Sequence, residues 1–302
     1  MTMELREHWL ALSPNAQGVL WALLATIFMS CMAVIAKYLG NELNSFEVAF
    51  FRAFFGWIAI LPFVGRAGAA SLKTDRKKLH TLRGLFGAAA MMSGFFALTH
   101  LPLAMATSLS FARPLFMIVL AILFLGEVVR ARRWTATVVG LVGVLVIVRP
   151  TGSIEPAAFF SIISAFMVAS AMVVTKLMAP TERPATVIFY AGIFGSVLTL
   201  IPALVVWETP SLTQFGLFVA MGAIGTLGST CMIRAISAGE ATVVAPVEYV
   251  RIIFAAVLGF LVFSEVPDVF VGIGATIIVG STLYITLREA RLGKPKPQPP
   301  TE

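Results

Sequence analysis

Charge is scarce in this chain: only 12% of its 302 residues are Asp, Glu, Lys or Arg, about half the share of an ordinary soluble domain. A soluble fold is excluded by the other side of that ledger, because 59% hydrophobic residues exceed what one core can hide. Cysteine is rarer still. Cys31 and Cys231 both fall inside apolar stretches, which argues against a disulfide framework and against a zinc site. The three histidines, His8, His80 and His100, stand at the ends or edges of such stretches, and no acidic cluster has metal-ligand spacing. No metal, no cofactor and no enzyme activity are therefore expected. An ATP-driven pump would need a phosphate cradle, and no Gly-x-x-x-x-Gly-Lys-Ser/Thr pattern occurs. The net charge of +7 does not imply nucleic acid, because the basic residues are dispersed between apolar runs instead of gathered on one face.

What the chain has is apolar length. Crossing about 30 Å of hydrocarbon takes around 20 helical residues, and windows of that kind fall at 17–39, 46–64, 81–99, 103–125 and 134–148. Five more fall at 156–178, 184–206, 215–236, 241–263 and 267–287. The first run is too long for a signal-peptide core and shows no small-residue cleavage site, so it reads as a retained helix. The spacing predicts an all-α, polytopic membrane protein of ten transmembrane helices, placed in the cell inner (plasma) membrane.

Loop charge sets the orientation. With the N-terminus inside, Arg66, Lys73, Arg76, Lys77, Lys78, Arg130, Arg132, Arg133 and Arg183 all lie on the cytoplasmic side. The opposite face carries Glu42, Glu155, Glu208, Glu265 and Asp268, with Arg149 as its one basic loop residue. The positive-inside rule then places both termini in the cytoplasm. The Pro-rich end reads as a disordered tail.

The two halves echo each other. A shift of 138 residues lays Leu101 to Glu127 on Gly239 to Glu265, matching Arg113 with Arg251 and Glu127 with Glu265. Five helices is an odd number, so a second copy enters the membrane from the opposite side and the repeats are inverted. Such halves enclose a midplane site that can open to either face in turn. The expected organisation is a cytoplasmic N-terminal segment at 1–16, five-helix repeats at 17–148 and 156–287, and a cytoplasmic tail at 288–302.

With five plus five helices, and an LPLA to GE stretch closing the fourth with its counterpart closing the ninth, the chain resembles EamA-type members of the drug/metabolite transporter superfamily. The resemblance spans nearly the whole chain. It implies the fold and secondary transport, and it leaves the cargo open, since the family moves amino acids, nucleotide sugars, vitamins, carboxylates or drugs.

The residues themselves suggest where a solute would sit. Arg113 and Arg251 each lie within one residue of the midpoint of their windows, the costly place for a cation, where arginines face a bundle interior or a wet cavity. The repeat relation should bring them to facing walls of one space. Glu248, three residues before Arg251, is within reach for a helix-surface pair and corresponds to Ser110 in the first half. It reads either as a buried structural partner or as a carboxylate that exchanges a proton with the medium. Arg52 lies three residues from the middle of the second window and is expected to face the cavity, with Glu47 nearer the outer end. Lys37, Arg83 and Arg234, near helix ends, are expected to snorkel to the headgroups.

Phe111 and Tyr249 stand two residues before the matched arginines, about 200° around a helix from them. Packing between helices and an aromatic clamp on substrate both remain open for this pair. Pro114 and Pro246 interrupt donor ladders and invite a bend. Gly222, Gly225 and Gly228 form a strip where another helix can approach.

Arg52, Arg113 and Arg251 against Glu248 leave the expected site net positive, and guanidinium forks match carboxylate or phosphate. The expected substrate is a small anionic or carboxylate-bearing metabolite, moved by alternating access. The alternative is a proton-coupled exporter of amino acids or drug-like compounds, and the distant one a non-transporting membrane protein or membrane enzyme. The expected partners are this solute, the bilayer and a proton or counter-substrate; a monomer suffices in principle.

Overall fold

The computed structural model describes residues 12–66, 73–125, 131–148, 155–178, 180–182, 184–238 and 245–292. Every regular element among them is helical. In chain order these are α1 (Pro14–Gly40), α2 (Ser45–Arg66), α3 (Lys77–His100), α4 (Leu103–Ser110), α5 (Arg113–Leu125) and α6 (Ala131–Val148). Then come α7 (Pro156–Met178), α8 (Pro184–Val205), α9 (Leu212–Ala238), a 3-10 turn (Ala245–Tyr249), α10 (Val250–Phe263) and α11 (Val269–Leu292).

Local chemistry sets several boundaries. Ser13 accepts from the Ala16 N–H at 3.3 Å and Pro14 opens α1, where a missing N–H is no loss. Ser211 and Gln214 form a reciprocal capping box, with backbone-to-side-chain bonds of 2.7 and 3.3 Å, at the start of α9.

Among the described residues, seven helical stretches are long and apolar enough to cross a membrane, including Leu103–Phe124 taken across its break. Their outer faces are coated with apolar side chains such as Leu123, Val205 and Leu227, as a hydrocarbon solvent favours. Inside, small residues let helices approach. Gly143 on α6 and Gly274 on α11 face each other so closely that a Cβ on Gly274 would lie 2.6 Å from the Gly143 carbonyl oxygen. Serines and threonines turn their hydroxyls onto carbonyls of the preceding helical turn, as Thr199 does on Gly195 at 2.6 Å, so few polar groups meet lipid.

The largest helix pairings map onto one another when each helix of the first half is exchanged for its counterpart in the second. The α1–α9 pairing has its equivalent in α7–α3, and α2–α9 in α8–α3. Two further large contacts, α2–α8 and α6–α11, join a helix to its own counterpart.

The fourth and ninth windows are where expectation and structure part. A continuous helix was expected over 103–125, and instead α4 stops at Ser110, the chain turns through Phe111 and Ala112, and α5 restarts at Arg113. Pro114 explains it, since it cannot donate to the Ser110 carbonyl and is well suited to the first turn of a new helix. In the second half the 3-10 turn containing Pro246 gives way to α10 at Val250. Residues 241–244 of that window lie outside the described residues.

Candidate functional site

Both breaks fall immediately before the matched arginines. Arg113 opens α5 and Arg251 is the second residue of α10, so each guanidinium is carried on the first turn of a half-helix. The N-terminus of α5 adds partial positive charge at Arg113.

The arginines do not meet as an isolated pair. Arg113 Nη2 approaches Glu248 Oε1 at 3.5 Å, joining the two halves. The expected ion pair of Glu248 with Arg251 is not formed, and Glu248 meets Arg113 instead. Tyr249 is the N-cap of α10, so no continuous α-helix carries both residues. Arg251 lies within electrostatic reach of Glu248 and Arg113, and its Nε is buried without an acceptor. The Arg113 and Glu248 side chains stay 34% and 33% exposed.

Arg251 lines a central cavity of about 400 Å³. Its wall draws on α1, α3, α4, α7 and α10, and its polar lining includes Arg83, Thr107, Ser110, Ser164, Thr175 and Arg251. Gly94 keeps it open beside Ser164, because a Cβ there would lie 2.7 Å from the Ser164 hydroxyl. Ser110 donates to the Thr107 carbonyl at 2.6 Å, leaving its oxygen as an acceptor. Arg113, expected to face Arg251 across one space, is not among the lining residues of this cavity, whereas Ser110 and Arg251 are.

Arg52 belongs to a neighbouring cavity of about 200 Å³, bounded by α2, α3, α8 and α9. Its Nε meets the Met32 sulfur at 3.1 Å. The guanidinium lies on glycine: a Cβ on Gly225 would stand 2.5 Å from Arg52 Nη2, and one on Gly56 2.3 Å from Nη1. The strip at Gly222, Gly225 and Gly228 thus receives Phe55, Arg52 and Met29 in turn.

Phe111 and Tyr249 do come together, with ring centroids 5.0 Å apart, inside a core cluster that includes Leu109, Ala112 and Leu115. Neither ring is among the lining residues of the central cavity.

Three bland assignments fare differently. Arg83 does not snorkel: its Nε donates to Thr175 at 2.8 Å and it lines both cavities. The helix starts at Lys77, four residues before the expected edge, which carries Arg83 inward. Lys37 is buried, ion-paired with Glu265 and bonded to the Leu101 carbonyl. Glu265 also accepts the Leu103 N–H at 2.7 Å, capping α4. Arg234 is exposed, 4.8 Å over the Trp21 ring. Glu47 is fully buried and accepts the Glu208 N–H at 2.6 Å, so its partner lies in the loop before α9 and not near Arg52. Glu127 lies outside the described residues.

The chain as a whole has counterparts among known proteins. The model of the EamA-like transporter family matches residues 16–149 and again residues 155–287. The chain belongs to that family. As a member of the drug/metabolite transporter superfamily it is a multi-pass protein of the inner membrane with a small-molecule substrate.

Its relatives are named for transport. The S-adenosylmethionine uptake transporter of Rickettsia prowazekii is 36% identical over 282 residues, covering 93% of this chain and 96% of that protein. The pseudopaline exporter CntI of Pseudomonas aeruginosa is 34% identical, with 89% and 95% covered. The riboflavin transporter of Rhizobium johnstonii is 28% identical, with 95% and 97% covered. A crystal structure at 18% identity superposes with a TM-score of 0.62 over 92% of this chain and 99% of its own, a likeness of fold.

Proposed function

We propose that this EamA-family protein is a secondary active transporter that moves a small carboxylate-bearing metabolite by alternating access. Ten crossings form inverted repeats at 17–148 and 156–287, with both termini cytoplasmic. The self-mapping helix packing and the doubled family match support that architecture. The single observation that carries the reading is the Arg113, Glu248 and Arg251 cluster, set on paired helix breaks beside a 400 Å³ cavity.

In this account Arg251 and Arg113 receive the carboxylate, with Ser110 accepting a donor of the substrate and Arg52 assisting from its adjacent cavity. Glu248 exchanges its Arg113 partner for a substrate ammonium or for a proton. An amino-acid headgroup, a carboxylate beside an ammonium, fits this set, and S-adenosylmethionine, named for several relatives, carries one. That observation favours solutes with an amino-acid end over simple anions. Uptake and export are both represented among the relatives' names, so direction is set by coupling and not by fold.

The test is solute flux into proteoliposomes. Arg113→Ala and Arg251→Ala should each abolish flux while still inserting and remaining monodisperse; normal flux by both variants would refute the assignment.

A further inference from the structure

The smaller cavity has chemistry of its own. At about 200 Å³ it falls below the roughly 300 to 1,000 Å³ that holds a whole ligand, so it suits one functional group. Arg52, Arg83 and Trp57 all line it. Among the described residues, neither arginine has a carboxylate partner: Arg52 meets the Met32 sulfur, and Arg83 bonds Thr175 through Nε. The Trp57 indole N–H is buried with no acceptor at all. Two unneutralised guanidiniums in a membrane interior repel each other and are each costly, which calls for an anion supplied from outside the chain.

The cradle is built for these donors. Gly56 and Gly225 hold the Arg52 guanidinium flat, and a Cβ on Gly192 would lie 2.2 Å from Trp57 Cδ1. Thr226 and Ser229 also line the cavity, and both have spent their hydrogens on helix carbonyls at 2.9 Å. Arg83 and Met91 border this cavity and the central one alike, so a solute could span the two.

We propose that this cavity is a second, oxyanion-binding subsite, in which Arg52, Arg83 and Trp57 hold one carboxylate or phosphate group. The inference rests on the transport reading above and narrows its substrate class. The anionic group belongs either to the far end of the transported metabolite or to a separate small anion.

Calorimetry on the detergent-solubilised full chain tests it, with butyrate, the dicarboxylates from succinate to suberate, and inorganic phosphate as probes. One dicarboxylate should bind more tightly than butyrate, and Arg83→Gln and Trp57→Phe should each shrink that preference about tenfold. Trp57→Phe keeps the ring and removes only the N–H, which guards against a mere packing effect. If phosphate instead binds alongside butyrate, and the same substitutions weaken it, the subsite serves a separate anion. Butyrate binding without any dicarboxylate preference or phosphate binding would overturn the subsite and leave the central site standing. A preference indifferent to both substitutions would do the same. Failure of all three probe classes to bind would overturn the subsite, while the transport reading stands or falls separately on solute flux into proteoliposomes.

Discussion

Replacing Lys37 with alanine should destabilise the folded chain by about 3 kcal/mol, because it strands a partly buried carboxylate. The Lys37 and Glu265 side chains are only 8% and 19% exposed. Their pairing stitches three elements: the ammonium of α1 meets Glu265 just past α10 and the Leu101 carbonyl, while Glu265 caps α4 through the Leu103 N–H. Removing one partner of a buried pair costs about 3 to 5 kcal/mol, and the greater exposure of Glu265 lets water relax the loss toward the lower end. A double-mutant cycle of Lys37→Ala and Glu265→Ala, read by equilibrium unfolding in mixed detergent, isolates the pair. The double variant should fall short of the summed single effects by about 1 to 3 kcal/mol. Single effects below about 0.5 kcal/mol, or strict additivity, would refute the claim that this pair holds α1, α4 and α10 together.

Glu248→Gln should abolish any response of flux to an imposed proton gradient; an unchanged response would rule out Glu248 as the coupling carboxylate. Gly274→Ala places a methyl 2.6 Å from the Gly143 carbonyl oxygen, so it should cost about 1 to 3 kcal/mol, seen as a lowered melting temperature. Gly225→Ala meets only the flexible end of Arg52, so flux should fall about tenfold or more while stability changes by less than about 1 kcal/mol. Equal loss of stability and flux in that variant would argue against Gly225 acting through Arg52.

The helical architecture was legible because apolar length in a membrane protein is set by bilayer thickness, and the windows at 17–39 and 156–178 agree with α1 and α7 to within a few residues. The matched arginines were legible as outliers of charge. What escaped was geometry that depends on a break or a neighbour. Pro114 signalled a bend, but the full interruption at Phe111 and Ala112, and with it the Arg113–Glu248 pairing across halves, needs the relative placement of two half-helices. Arg83 and Lys37 were misjudged for one reason: distance from a window edge measures snorkelling reach only where the helix end faces lipid, and here α7 and α10 lie alongside. The glycine strip was visible as smoothness, whereas the guanidinium bedded on Gly225 was not, because no periodicity encodes which side chain fills a gap.

Ser110 lines the central cavity, so a cysteine there reports on that cavity alone. With Cys31 and Cys231 replaced by serine, Ser110→Cys should react with a membrane-impermeant thiol reagent applied to either face of the membrane in turn. Reaction from neither face, or from one face under every solute and ion gradient, would contradict a wet central site that opens alternately.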